Sequence, residues 1–183
     1  MYTIDIAVVK EAFGKLAYSH KTQEKAKDIN CCFACLVKWL NVIFIGATTI
    51  SATYSVLIPP DKGNLVTAGL ALISLMFVIA QLSFDPEAKA RAHKNCADKL
   101  WLLREKYLNL ISDMSTGAIT AQSAVERRDR LTEELFKVYE DAPMAGGLAY
   151  SLARRALKIG NELTFGTKEL DFLLPESLKT KRA

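Results

Sequence analysis

Two stretches without a single charged residue, 39–58 and 64–84, are separated only by Pro59-Pro60-Asp61-Lys62-Gly63. About 20 residues rising ~1.5 Å each cross the ~30 Å hydrocarbon core of a bilayer. Five residues cannot form a domain between them. The pattern predicts an all-α membrane protein built on a two-helix transmembrane hairpin, with spans at about 37–58 and 64–84. The alternative is a helix pair in a soluble core, but such helices are usually shorter and keep a polar face.

The overall averages, 50% hydrophobic residues and a net charge of +4 over 183 residues, conceal this segregation. Residues 1–38 hold six Lys and four acids, and residues 85–183 hold seventeen Lys/Arg and fifteen acids. No segment has the basic excess of a nucleic-acid binder, so no nucleic-acid partner is expected. The first 30 residues lack an apolar core, so no signal peptide is expected. Lys21, Lys25, Lys27 and Lys38 precede the first span and Lys89, Arg91, Lys94 and Lys99 follow the second, whereas Lys62 alone lies between them. The positive-inside rule then places both termini in the cytoplasm and the Pro-Pro turn outside. Cys31, Cys32, Cys35 and Cys96 fall on the cytoplasmic side, where thiols stay reduced and no disulfide framework is implied.

Three regions follow. Residues 1–30 form an N-terminal cytoplasmic amphipathic helix, with Ile6, Val9, Phe13 and Leu16 on one face. Residues 31–84 form the hairpin, and residues 85–183 form a C-terminal cytoplasmic helical region. Asp85-Pro86 breaks the chain and starts a new helix. From His93 a seam steps by three and four through Cys96, Leu100, Leu103, Tyr107, Leu110 and Met114, the signature of a helix packing along another. Leu100, Leu103, Tyr107 and Leu110 are the expected partner or oligomer seam. A further helix over about 120–140 turns Ala124, Leu131, Leu135 and Val138 inward, and another over about 148–162 carries Leu148, Leu152, Ala156 and Ile159 on one face. The tail 169–175 is a short apolar patch.

Each span carries polar residues seven apart: Asn41, Thr48 and Ser55, with Ser51 beside them, and Thr67, Ser74 and Gln81. Seven residues return nearly to the same helical face. These stripes either pack helices, since small and hydroxylated residues permit close approach, or line a wet pathway between several hairpins. Asn41 and Gln81 carry amides that must face protein or water in hydrocarbon. No ionisable residue lies within either stretch, which argues against a proton relay or voltage sensor.

Cys32-x-x-Cys35 and His93-x-x-Cys96 flank the hairpin at one-face spacing, and such pairs suit tetrahedral Zn²⁺. The competing reading makes them apolar fillers, acylation sites or seam positions. Zinc apart, no cofactor is indicated. Arg127, Arg128 and Arg130 are surrounded by Glu126, Asp129, Glu133 and Glu134 and read as a solvated, salt-bridged face. No phosphate-cradling loop, nucleophile elbow or HExxH is present, so an enzyme is not expected.

After the hairpin come His93-x-x-x-Ala97-x-x-x-Trp101-Leu102, Arg104-Glu105-x-Tyr107-x-Asn109-Leu110-Ile111, Tyr139-Glu140-Asp141-Ala142-Pro143, Ala149-Tyr150 and Glu169-Leu170-Asp171-x-x-Leu174-Pro175. In order and spacing, over nearly the whole chain, this resembles the SLATT family, the SMODS and SLOG-associating two-transmembrane effector domains of bacterial conflict systems. The resemblance implies an antiviral-defence effector in the bacterial inner membrane. It would oligomerise and permeabilise that membrane when a separate sensor or nucleotide-signalling protein is triggered. The alternative is a membrane-anchored scaffold that recruits a cytoplasmic partner through its helical region.

Overall fold

The computed structural model describes residues 5–57, 63–160, 162, 163 and 169. The Pro-Pro turn, residues 1–4, and the tail and basic end expected over 169–182, apart from Glu169, lie outside the described residues. Five helices appear, and no strand is present among the described residues: α1 (Ile6–Leu57), α2 (Gly63–Phe84), α3 (Pro86–Thr116), α4 (Ala121–Glu140) and α5 (Gly147–Lys158).

The N-terminal amphipathic segment and the first span are one continuous helix. α1 has 52 residues, about 78 Å at ~1.5 Å per residue. No proline interrupts it, and the polar stretch from His20 to Asp28 is dominated by the good helix formers Lys, Gln, Glu and Ala. Asp5 opens it, its carboxylate accepting the Ala7 N–H at 2.8 Å. In the apolar half, Thr48, Thr49, Thr53 and Ser55 return their hydroxyls to the carbonyls four residues earlier at 2.7–2.9 Å. That satisfies each hydroxyl inside its own helix, as hydrocarbon requires.

Asp85 alone joins α2 to α3. Its N–H still bonds Gln81 O at 3.0 Å, its carbonyl accepts Lys89 N–H at 3.2 Å, and its carboxylate caps Ala88 N–H at 2.9 Å. The residue is left-handed, φ 32°, a conformation that a short polar side chain tolerates. Pro86 follows at the first helical turn, where its missing N–H costs nothing. Gly117, φ 70°, ends α3 by donating to Asp113 O and Met114 O. Thr120 caps α4.

α1 and α3 form the main antiparallel pair, α2 packs on the far half of α1, α5 on its near half, and α4 lies on α3. The core joins Val9 and Leu16 of α1 to Cys96, Leu100, Leu103, Tyr107 and Leu110 of α3, and Ala124 and Leu131 of α4. Thus the seam that was expected to meet a partner, Leu100, Leu103, Tyr107 and Leu110, is the chain's own core. The reason is the length of α1, which extends far enough to supply the opposing half of the heptad within the same chain. α4 turns Ala124, Leu131, Leu135 and Val138 inward as its period predicts.

α5 is rotated from expectation. It buries Ala149, Ala153 and Ala156 against α1, leaving Leu148 64% and Ile159 75% exposed. Alanines let the helix axes approach closely, and Tyr150 reaches the Tyr18 ring with centroids 6.4 Å apart.

Candidate functional site

The most apolar windows of the two long helical runs have mean hydropathy 1.8 and 2.3, and only 11% and 0% of them are buried within the protein. A soluble core pair would be mostly buried. Val42, Ile43, Ile45, Ile50, Leu65, Leu72, Met76 and Ile79 instead form a large outward apolar surface, of the kind that a bilayer covers.

Inward, the two polar stripes meet. Asn41 Nδ2 donates to Gln81 Oε1 at 3.0 Å. Ser51 Oγ and Thr67 Oγ1 share a hydrogen bond of 2.6 Å. Asn41 and Ser74 are each only 8% exposed, and Ser74 also bonds Leu70 O at 2.9 Å. Thr48 and Ser55 are half-buried and bonded within α1. The seven candidate lining or packing residues therefore sit on facing sides of one hairpin, and Asn41–Gln81 and Ser51–Thr67 are direct polar rungs between the described parts of its two helices. Between the rungs, Phe44 and Phe77 stack with centroids 5.3 Å apart. Phe44 lies three residues after Asn41 and Phe77 four before Gln81, on the same faces, a spacing that the polar stripes overshadow in the sequence. Asn41 Oδ1 is buried without a hydrogen-bond partner, a state that costs about 1–3 kcal/mol unless a donor approaches.

The four candidate metal ligands are not brought together. Cys32 and Cys35 are exposed on α1, while Cys96 is buried in the core. His93 Nδ1 is 2.6 Å from Gln23 Oε1. No group of three His, Cys, Asp or Glu able to hold a metal exists among the described residues. Helical spacing aligned each pair, but the packed α1–α3 interface turns the α1 pair outward and the α3 pair inward.

Beneath the hairpin lies a polar cluster that sequence periodicity did not reveal. Gln23 bridges His93 and Pro143 O, donating to the latter at 3.1 Å. Tyr139 OH donates to Ser19 Oγ at 2.7 Å. Lys21, nearly buried, lies 2.8 Å from Glu24 and 2.6 Å from Glu162. Burial pulls its ammonium down, yet the hydrogen bonds to Glu162 and Glu24 prevail and leave it above the ordinary lysine value. Burial holds both His20 and His93 below the ordinary histidine value, with Glu24 opposing the effect at His20. These groups tie α1 to α3, to α4, to the α4–α5 connection and to Glu162 beyond α5. Their partners lie 70 to 141 positions apart, so no local pattern marks them. The basic cluster of α4 is a paired surface, with Arg127 on Asp113 at 2.8 Å and Arg128 on Asp129 at 2.6 Å.

No curated protein and no solved structure matches the chain. The family model for SMODS and SLOG-associating 2TM effector domain family 4 matches residues 6–169, taking in all five helices. An all-helical chain with two apolar helices long enough to cross a membrane, and a match over most of its length, places it: the chain belongs to the SMODS and SLOG-associating 2TM effector domain family 4.

Proposed function

We propose that this chain is an oligomerising membrane effector that rests with its polar seam closed and permeabilises the bilayer when the seam opens between copies. The observation that carries the reading is the concentration of polar side chains on one inward seam of an otherwise apolar hairpin, with Asn41–Gln81 and Ser51–Thr67 as its rungs. One hairpin cannot enclose water. Several can, if Asn41, Thr48, Ser55, Thr67, Ser74 and Gln81 turn from each other toward a shared axis. Hydrogen bonds between membrane helices average about 0.6 kcal/mol, so exchanging two rungs for contacts between copies is a small step that a partner's binding energy can drive. α1 runs unbroken from the charged bundle through the apolar span, a rigid element along which a trigger would act. The trigger fits a separate sensor or nucleotide-signalling protein acting on the bundle, with both termini in the cytoplasm of a bacterial cell.

The test is membrane potential in bacteria induced to express the chain, beside Ser74→Leu/Gln81→Leu and Thr48→Leu variants at equal membrane abundance. Depolarisation by the native chain and loss of it in the variants is expected. Equal depolarisation by all three sinks the lining assignment.

A second reading is an anchored scaffold. It is favoured by large apolar side chains left outside on the bundle, Trp101 at 49% exposure and Leu102, Leu108 and Phe136 likewise open. Replacing the hairpin with an unrelated anchor separates the two: a scaffold keeps its activity and a permeabilising effector loses it.

A further inference from the structure

The charges nearest the hairpin are not scattered. A groove of about 440 Å³ lies between α1 and α3 where these helices leave the apolar zone. Lys27 and Lys38 approach it from α1, and Arg91 and Lys94 from α3. Its floor is small and apolar, with Ala34 and Ala90 buried against each other's helices and Cys35 open beside them. Glu87 is the one acid on its wall.

Height decides what such a groove meets. The headgroup layer is roughly 5–8 Å thick on each side of the hydrocarbon. Lys38 immediately precedes the charge-free stretch. Arg91 lies seven residues past Phe84, about 10 Å at ~1.5 Å per residue. Side chains lean toward their helix N-terminus, and α3 begins at the apolar end, so Arg91 and Lys94 lean back toward the membrane. Lys94 and Lys27 line the deeper end, roughly 15–18 Å below the apolar zone.

The existing partners of these cations are weak competitors. Lys38 pairs with Glu87, Arg91 stands 3.8 Å from Glu87, Lys27 is 2.8 Å from Asp28 and Lys94 is 2.5 Å from Asp98. Most of these groups are well exposed, where an ion pair contributes about 0–1 kcal/mol. Three of the four pairings are also within a single helix, so they need not hold the α1–α3 interface and can yield to another anion.

We infer that this groove is a binding site for an anionic phospholipid, with the headgroup phosphodiester held between Lys38 and Arg91 and the rest of the headgroup over the Ala34–Ala90 floor. A phosphate is the shared chemistry of a lipid headgroup and of a free anion. The lipid is favoured because the cations stand where the spans begin and a groove this large exceeds a bare phosphate. Basic pockets between membrane helices are recurrent lipid sites. A second basic groove of about 300 Å³, with Lys106, Arg127 and Arg130 beside Glu134, gives the contrast. Lys106 lies 22 residues past Phe84, about 33 Å away, beyond the reach of any headgroup. The site rests on insertion of the hairpin and not on permeabilisation, so a chain that never leaks can still hold the lipid.

The test uses the full chain purified in neutral detergent, titrated in separate arms with phosphatidylglycerol, phosphatidylcholine and inorganic phosphate, and read as retained ligand by native mass spectrometry. Phosphatidylglycerol is expected to be retained over both others. Lys38→Gln/Arg91→Gln should weaken it about five-fold per cation removed, the factor for one juxtamembrane charge, without changing phosphatidylcholine retention. Glu87→Gln, which removes the competing acid, should strengthen it, a gain that misfolding cannot mimic. Lys106→Gln/Arg130→Gln should leave it unchanged. Equal retention of both lipids, equal occupancy by inorganic phosphate, or native retention by the Lys38→Gln/Arg91→Gln variant overturns the assignment.

Discussion

Before Lys38, α1 buries Val9, Leu16 and Ala26 and exposes Lys10, Glu11, Lys15 and Asp28; beyond Trp39 the same helix exposes Val42, Ile43, Ile45 and Ile50 and turns Asn41 inward. The inward stripe itself does not shift. Val9, Leu16, Gln23 and Val37 are spaced by multiples of seven and, after one four-residue step, so are Asn41, Thr48 and Ser55, all along a single unbroken helix. Only the chemistry on the stripe changes. In water, apolar side chains gain by leaving solvent, about 25 cal/mol per Å² buried. In hydrocarbon they gain nothing from each other, and close packing and hydrogen bonds remain to hold helices together. One seam thus serves two solvents, aliphatic in one and hydroxyl- and amide-rich in the other.

The comparison breaks most readily at the bundle core. Leu100→Ala removes a fully buried side chain from the core cluster that joins α1, α3 and α4. A loss of about 2–5 kcal/mol is expected by denaturant titration, while carbonate-resistant membrane association persists. Release from the membrane would show that the bundle, not the apolar hairpin, retains the chain there.

The seam in the apolar half should respond differently. Gln81→Leu leaves the Asn41 amide with neither of its groups partnered. A cost of about 1 kcal/mol is expected. Asn41→Leu/Gln81→Leu removes both amides and should recover most of that loss. A double variant as unstable as the sum of the singles would mean that the rung is not a rung.

Acidification sharpens the contrast, because titrating groups of this kind are confined to the bundle. His20 and His93 are held below the ordinary histidine value by burial. The unfolded chain therefore binds more protons than the folded one just below pH ~6.5. The stability of the neutral pair is present above that pH and is lost as pH falls through the lowered values. The midpoint of bundle unfolding should drop between pH 7.5 and 5.5, with a flatter dependence in His93→Gln. A rise on acidification would contradict the assignment.

The smallest effect is expected at the surface. Lys106→Gln removes the 2.6 Å pair with Glu134, both groups being exposed, and should change stability by less than about 1 kcal/mol.

How much of this was legible depended on how local its cause is. The two spans, the break at Asp85-Pro86, the stop at Gly117 and the inward faces of α3 and α4 are written in runs, breakers and periods a few residues long. The polar stripes were equally visible, but not that Asn41 would meet Gln81, since packing and pore lining use the same spacing. The identity of a partner is never local. The heptad of α3 announces a neighbouring helix without saying that α1 of the same chain is that helix. α5 shows the same limit: its leucines mark an apolar face, while the alanines one position away offer the closer approach to α1. The His20–Lys21–Gln23 cluster has no periodic signature, because its partners come from α3, from the α4–α5 connection and from Glu162.

The most direct test joins Ser51→Cys to Thr67→Cys in a chain whose four native cysteines are replaced, with mild oxidation in intact membranes. The account predicts rapid disulfide formation within one chain, seen as faster migration of the monomer. Absence of any cross-link, or cross-links formed only between chains, would contradict a polar seam closed within each resting hairpin.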